Sequence, residues 1–382
     1  MDETIQTRIS ELARDLICIP SHNPPGDEDR IARFAAEWLR EEGLDPRLVP
    51  LEAGRSSIVA RVPGRQRGSI VLCGHLDTVA TEPTAWRMPP LEGHVEDGRL
   101  WGLGAADMKG SVAVLMHVVA RLAKRGATPR QDIVLALTAD EELGYRGAAT
   151  IAESGLVGDA EVVVIAEPTA GHVYTGQKGE LWIEVGFTGR EAHGSTPELG
   201  INSIQSAARF CVRLQDEMST LLELPGRGRT TLNIGRFQGG RQVNIVPDRS
   251  QVQLDVRVAR SQDHDTVVDL VDRIGIAEAE MSGAQFYYRV MSYHPPIVGD
   301  TTGAHAQRLL RTVAQVTGHE PPTGISPFST DAVTIVPRLD VPILIYGPGD
   351  IAQAHQPDEF IDLQKLAEAF EVLRRFVATE GE

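Results

Sequence analysis

Apolar residues recur along this chain with two periods, and the changes of period mark its elements. Glu3–Cys18 places Ile5, Ile9, Leu12 and Leu16 at helical spacing, which predicts a helix that gives way to a turn over Pro20–Gly26. A second helix is predicted over Glu28–Glu42, stopped by Gly43. Arg47–Val62 then reads as an antiparallel segment. Ile133–Leu137 is apolar without alternation, which suits a strand buried on both faces of a parallel sheet. Ser69–Cys73, Glu161–Ala166 and Val341–Tyr346 read as companion strands, with helices over Ser111–Lys124 and Gly147–Glu153 between them.

From Gln177 to Val290 the pattern is different. Leu181–Thr188 alternates apolar and polar residues, Ile201–Thr220 reads as a helix, and Thr230–Phe237 and Gln251–Val258 read as strands. A helix over Asp265–Ile274 and a strand over Gln285–Val290 complete a β-α-β-β-α-β order, the split pattern of a ferredoxin-like layer. Pro225–Arg229 reads as a loop. The expected organisation is therefore an α/β domain with a mixed, largely parallel sheet, formed by residues 1–176 and 291–382. An α+β ferredoxin-like domain, 177–290, is inserted in it.

Composition narrows the class. At 382 residues two domains are the natural expectation, and 24% charged with 42% hydrophobic residues is ordinary for a globular chain. A net charge of −16 would repel the phosphates of nucleic acid. Cys18, Cys73 and Cys211 are odd in number and set in apolar surroundings, which reads as reduced, buried thiols in a cytoplasmic protein. The first residues carry no signal-peptide core, and no apolar run has the length of a membrane span.

The chemistry-bearing residues follow the strands. In Thr138–Gly147 the adjacent Glu141 and Glu142 stand just past a predicted strand, where open α/β sheets bind ligands. They suit one metal ligand and one general base, or an exposed acidic loop. His75 and Asp77 are two apart, so in extended backbone they share a side, and a carboxylate there can hold the second nitrogen of a metal-bound histidine. Asp107, in the small-residue loop Gly102–Gly110, is either a ligand or the N-cap of the following helix. The loop lacks the spacing of a Walker or dinucleotide fingerprint. Glu167 and His355 likewise come just after strands. Two histidines and three carboxylates are enough for two metal ions.

Six ordered motifs carry a resemblance that spans nearly the whole chain. They are G-H-L-D-T at Gly74–Thr78, G-L-G-A-A-D-M-K-G at Gly102–Gly110, T-A-D-E-E at Thr138–Glu142, A-E-P-T at Ala166–Thr169, E-A-H-G-S-T-P at Glu191–Pro197 and A-H-Q-P-D-E-F at Ala354–Phe360. Together the chain resembles the dinuclear zinc family containing acetylornithine deacetylase, succinyl-diaminopimelate desuccinylase, aminoacylase and glutamate carboxypeptidase. The resemblance implies that Asp107 bridges two zinc ions, with His75 and Glu167 on one and Glu142 and His355 on the other. Cobalt or manganese can substitute in such oxygen-rich sites. It further implies that Asp77 orients His75 and that Glu141 is the general base for hydroxide attack on an amide carbonyl. His193 would reach the partner subunit's site in a homodimer built through the inserted domain and help hold the carbonyl oxygen. Asn244 and Arg257 would bind the substrate carboxylate, and Ser329, Thr330 and Asp331 would form a loop beside the site.

Glu167, where many peptidases of the family have aspartate, and the segment Gly347–Glu359 resemble the deacylases, acetylornithine deacetylase most. Pro327–Ala332 departs from that enzyme, and Leu103 replaces an arginine common in the bridging motif. The implied activity is hydrolysis of an N-acyl amino acid. The alternatives are a desuccinylase, an exopeptidase or dipeptidase, and a non-catalytic metal-binding protein.

Overall fold

Four buried strands form the spine of a computed structural model that describes residues 3–125, 128–221 and 228–378. Asp132–Thr138, Ser69–His75, Ala160–Pro168 and Ile343–Gly347 lie side by side in that order, all parallel. Arg55–Val62 pairs antiparallel with the first of them and Val173–Gln177 antiparallel with the last. Arg47–Glu52 and Thr323–Ser326 complete an eight-stranded sheet. Residues 133–138 are buried at every position, so both faces of this strand are covered, as its unbroken apolar run requires.

The register brings the carboxyl ends of the parallel strands to one edge: His75 pairs with Thr138, Cys73 with Ile165, and Gly347 with Pro168. Two strands run further than the apolar pattern indicates. His75 closes its strand, and Glu167 lies inside Ala160–Pro168. Helices Glu3–Ile17, Gly110–Arg125, Ala304–Thr317 and Leu363–Val377 pack together, and their apolar stripes share one core with the sheet through Leu12, Leu16, Leu115, Leu309, Phe370 and Leu373. A small sheet orders Phe360–Asp362, Arg99–Trp101 and His94–Glu96. Strands of three residues leave no periodicity to read, and this sheet has no counterpart in the sequence reading.

The chain divides into two compact units. The first comprises the described residues up to Gly176, Val298–Gly324 and those from Thr330 onward; the second comprises Gln177–Ile297 with Ile325–Ser329. The second unit extends past 290 because its last strand, Gln285–His294, is longer than predicted and Gln177 and Ile297 then exchange backbone hydrogen bonds. Its four antiparallel strands run in the order Thr231–Gly239, Arg249–Val258, Gly179–Thr188, Gln285–His294. Helices Ser203–Ser219 and Asp263–Ser282 pack on them, and Leu181, Ile183, Val185, Val252, Leu254 and Val256 meet Phe210, Leu214, Val267 and Val271 in a separate core. Of the loop predicted at 225–229, residues 225–227 lie outside the described residues. Cys73 and Cys211 are buried, but Cys18 is exposed because the first helix ends at Ile17; all three thiols are free.

Glu278, on the second of these helices, is a fully buried carboxylate that accepts from Arg209 Nε at 3.0 Å and Arg213 Nη1 at 2.8 Å. Burial pushes its pKa up, but the two guanidinium groups outweigh this and hold it below the usual value. A carboxylate with a lowered folded pKa contributes stability above its unfolded pKa and loses it as pH falls through the folded one. Glu278→Ala is expected to lower unfolding free energy by about 1–2 kcal/mol at pH 7. The deficit should shrink as pH falls below about 4, as measured by urea denaturation across that range.

Candidate metal centre

At the carboxyl edge of the parallel strands, five of the residues singled out in the sequence converge. His75 Nε2 lies 3.0 Å from Asp107 Oδ1 and 3.8 Å from Glu167 Oε1. His355 Nε2 lies 3.1 Å from Glu142 Oε2 and 3.6 Å from Asp107 Oδ2. Asp107 thus stands between the two histidines. His75, Asp107 and Glu142 present ligand atoms all within 4.8 Å of one another. Imidazole nitrogen and carboxylate oxygen are donors that zinc accepts, and the set fits a cation site.

Local folding explains each placement. Asp107 is not the cap of helix Gly110–Arg125: it lies within the irregular turn Ala105–Lys109, and its carboxylate meets His75 instead. The backbone N–H of His75 donates to Met108 Sδ at 3.2 Å, which fixes the end of its strand. Glu359 supports the Asp107 loop. Its buried carboxylate accepts the N–H groups of Gly104 (2.9 Å), Ala106 (2.7 Å) and Asp107 (3.0 Å). Sequence reasoning gave Glu359 no role, and its only signal was membership of the motif that carries His355. Asp358, its neighbour, accepts from Arg87 Nε at 2.6 Å, so the segment after His355 is tied down at two successive residues.

Asp77 meets the His75 ring most closely through its backbone. The His75 ring reaches the backbone carbonyl of Asp77 through Nδ1 at 2.9 Å, while the Asp77 carboxylate stands 3.7 Å away. That carboxylate accepts instead the backbone N–H groups of Glu141 and Glu142, each at 3.1 Å. A buried N–H donor left unpaired is costly, and this one carboxylate satisfies two of them. Gly147 lets helix Arg146–Glu153 close on this turn, since a Cβ there would collide with the Ala139 carbonyl.

The cluster is electrostatically crowded. Burial raises the Glu141 and Glu167 carboxyls well above the usual range, and neighbouring carboxylates add to it. Burial opposes protonation of His75, but its hydrogen bond to Asp107 and the nearby Glu167 and Glu141 charges hold its pKa well up. The bond to Glu142 raises His355 to about 9. Burial would also raise Asp107, yet the His75 bond keeps it below its ordinary value. Asp331, buried with Thr138 Oγ1 2.6 Å from its carboxylate, is raised to about 7 by burial. A concentration of buried carboxylates of this kind calls for protons or a cation.

The remaining sequence candidates lie elsewhere in the chain. His193 and Asn244, both exposed, come together within the second unit, where His193 pairs with Ile245 and the Gly194 N–H donates to the Asn244 carbonyl at 2.8 Å. Arg257, in the same unit, is engaged by Glu180 at 3.1 Å and Asp255 at 2.9 Å. Ser329 Oγ donates to the Lys178 carbonyl at 3.2 Å, and Thr330 Oγ1 accepts the Ala332 N–H at 3.2 Å.

The chain is similar to known proteins. A model of peptidase family M20/M25/M40 matches residues 71–379. The chain is 28% identical over 359 residues to an acetylornithine deacetylase of Pasteurella multocida (strain Pm70), covering 91% of this chain and 90% of that protein. It is 26% identical over 386 residues to a probable succinyl-diaminopimelate desuccinylase of Staphylococcus epidermidis (strain ATCC 12228), covering 93% of each. In fold it is similar to an M20 family metallo-carboxypeptidase from Sulfolobus solfataricus, with a TM-score of 0.81, 18% identity and 99% of each chain covered.

Residues that orient ligands matter to a metal site nearly as much as the ligands. Glu359→Ala frees three N–H groups of the Asp107 loop and is expected to weaken metal binding by about 10- to 100-fold. Chelator competition on the purified protein measures this directly.

Proposed function

The chain belongs to peptidase family M20/M25/M40, a family of metallohydrolases, and from that premise we propose that it cleaves the amide bond of an N-acyl amino acid. The convergence of His75, Asp107, Glu142, Glu167 and His355, with buried Glu141 adjoining Glu142 on the same edge, carries this reading. The five would hold two zinc ions, with Asp107 between them. Bound zinc supplies Lewis acidity and brings a water's pKa toward about 7.

Glu141 takes the proton from the attacking water and returns it to the leaving amine, since beside two bound cations its carboxylate would be held ionised and able to accept it. Asp77 holds the backbone of Glu141 and Glu142, so base and ligand are placed by one carboxylate. Substrate recognition falls to His193 at the carbonyl oxygen and to Asn244 and Arg257 at the carboxylate. For Arg257 that requires exchange of a Glu180 or Asp255 contact for the substrate's carboxylate. The edge strands Thr231–Gly239 and Gln285–His294, with Phe237, Tyr287 and Met291 exposed, offer a surface for pairing with a second copy through the inserted unit. No helix among the described residues is long and apolar enough to cross a membrane. The three free thiols suit a reducing, cytoplasmic location.

Metal-stripped protein reloaded with zinc, cobalt or manganese should release amino acid from N-acetylornithine or another N-acetyl amino acid. Cleavage of N-succinyl-diaminopimelate or of dipeptides alone would replace the deacetylase reading with the desuccinylase or the peptidase, and silence with two metals bound would favour a binding protein. Glu141→Gln is expected to keep both metals and lose at least about a hundredfold in turnover. For His193→Ala, turnover should fall with metal content unchanged, and lost metal would give that residue a different role.

A further inference from the structure

Asp140, Glu141 and Glu142 offer three successive backbone N–H groups, and each is accepted by a carboxylate from a distant part of the chain. Glu28 takes the Asp140 N–H at 3.1 Å, and the two oxygens of Asp77 take the next two. Asp140 itself has φ 69°, a left-handed backbone that a non-glycine residue keeps only when its surroundings hold it there.

The carboxylates that hold the turn are joined by the amide of Asn23. Its Nδ2 donates to Asp77 Oδ2 and to Asp140 Oδ1, both at 3.0 Å. Asn23 is 3% exposed, and its backbone N–H is fixed by the Thr78 carbonyl at 2.8 Å. An amide nitrogen carries two hydrogens, and here both are used on carboxylate oxygens. The reversed amide would set its oxygen against the same two carboxylates, so chemistry fixes the orientation. Arg55 closes the arrangement from the other side, bonded to Glu28 and lying 2.9 Å from Asp140.

We propose that Asn23 is a positioning residue for the catalytic turn. Its two donors keep the Asp77 and Asp140 carboxylates together, Asp77 then holds the backbone of Glu141 and Glu142, and the Glu141 carboxyl is fixed where it carries the proton. The last step rests on the hydrolase reading above, whereas the hydrogen-bonded chain from Asn23 to the turn does not.

Asn23→Asp keeps the shape and exchanges the double donor for an acceptor. In the metal-stripped full chain, hydrogen exchange at the Glu141 and Glu142 amides is expected to rise at least about tenfold, the equivalent of one lost charge-assisted hydrogen bond, with the strand Ala160–Pro168 unchanged. In the reloaded enzyme kcat should fall by about tenfold or more, with KM and metal stoichiometry unmoved. Asn23→Ala, which removes the donors without adding charge, should change both readouts in the same direction. Ser21→Ala removes a buried hydrogen bond to the Leu76 carbonyl, 2.8 Å long, in the same N-terminal turn. It should lower stability and leave kcat and exchange at the two amides as in the wild type. Unchanged amide exchange in both Asn23 variants, or an equal kcat loss in Ser21→Ala, overturns the proposal. A wild-type protein inactive on the whole substrate panel overturns the hydrolase reading instead, and the exchange data then still decide the positioning role.

Discussion

Mutual repulsion among carboxylates packed into one dry edge of the sheet is the constraint around which the first unit is arranged. Two carboxylates 4 Å apart repel by about 4 kcal/mol even at an effective dielectric of 20, and Asp107, Glu141, Glu142 and Glu167 share this place with Asp331. A flexible scaffold would relieve the repulsion by letting the groups drift toward solvent. Here drift is opposed at the backbone. Glu167 is inside a paired strand, His75 ends another, and the loops of Asp107 and of Glu141–Glu142 have their N–H groups accepted by Glu359 and by Asp77. Acidic residues farther from the centre thus hold the acidic residues at it, and they do so through neutral N–H donors that bring no competing cation.

This division of labour separates the residues that were legible in the sequence from those that were not. His75, Glu142, Glu167 and His355 were readable because each lies at the end of an apolar strand or in the loop after it, and parallel strands carry such positions to a common edge; Asp107 was readable from its small-residue loop and motif. Asp77 was readable as a member of the site but not in its contact, because spacing places a carboxylate near a histidine without saying which of the competing donors it will satisfy. Glu359, Asn23 and Glu28 were invisible as participants. Glu359 and Glu28 accept backbone N–H groups from segments far away in sequence, and a backbone donor has no residue type to read, while Asn23 donates to two carboxylates, Asp77 and Asp140, that lie far along the chain.

The same reasoning applies to the fold. The parallel strands and the inserted β-α-β-β-α-β unit were legible from period alone, because burial on two faces and burial on one leave different patterns. The small sheet of Phe360–Asp362, Arg99–Trp101 and His94–Glu96 was not, since three residues make no period. Yet that sheet governs the site, for it sets the segment carrying His355 against the loop carrying Asp107, with Asp358 bonded to Arg87 and Glu359 to Gly104. The exposure of Cys18 was missed for a related reason: an apolar neighbourhood in sequence does not say where a helix stops.

The converging residues are drawn from positions 75 to 355, and the second unit interrupts them without disturbing the order of the strands. The reciprocal hydrogen bonds between Gln177 and Ile297, 2.8 and 3.0 Å long, explain how. They bring the chain out of the second unit beside the point where it entered, so the insertion closes like a long loop whose ends are already paired. Loop-closure entropy grows only slowly with length, and a folded insertion with its own core adds little to it. The strand Ile343–Gly347 can therefore pair with Ala160–Pro168 across the whole insertion and deliver His355 to the edge already occupied by His75.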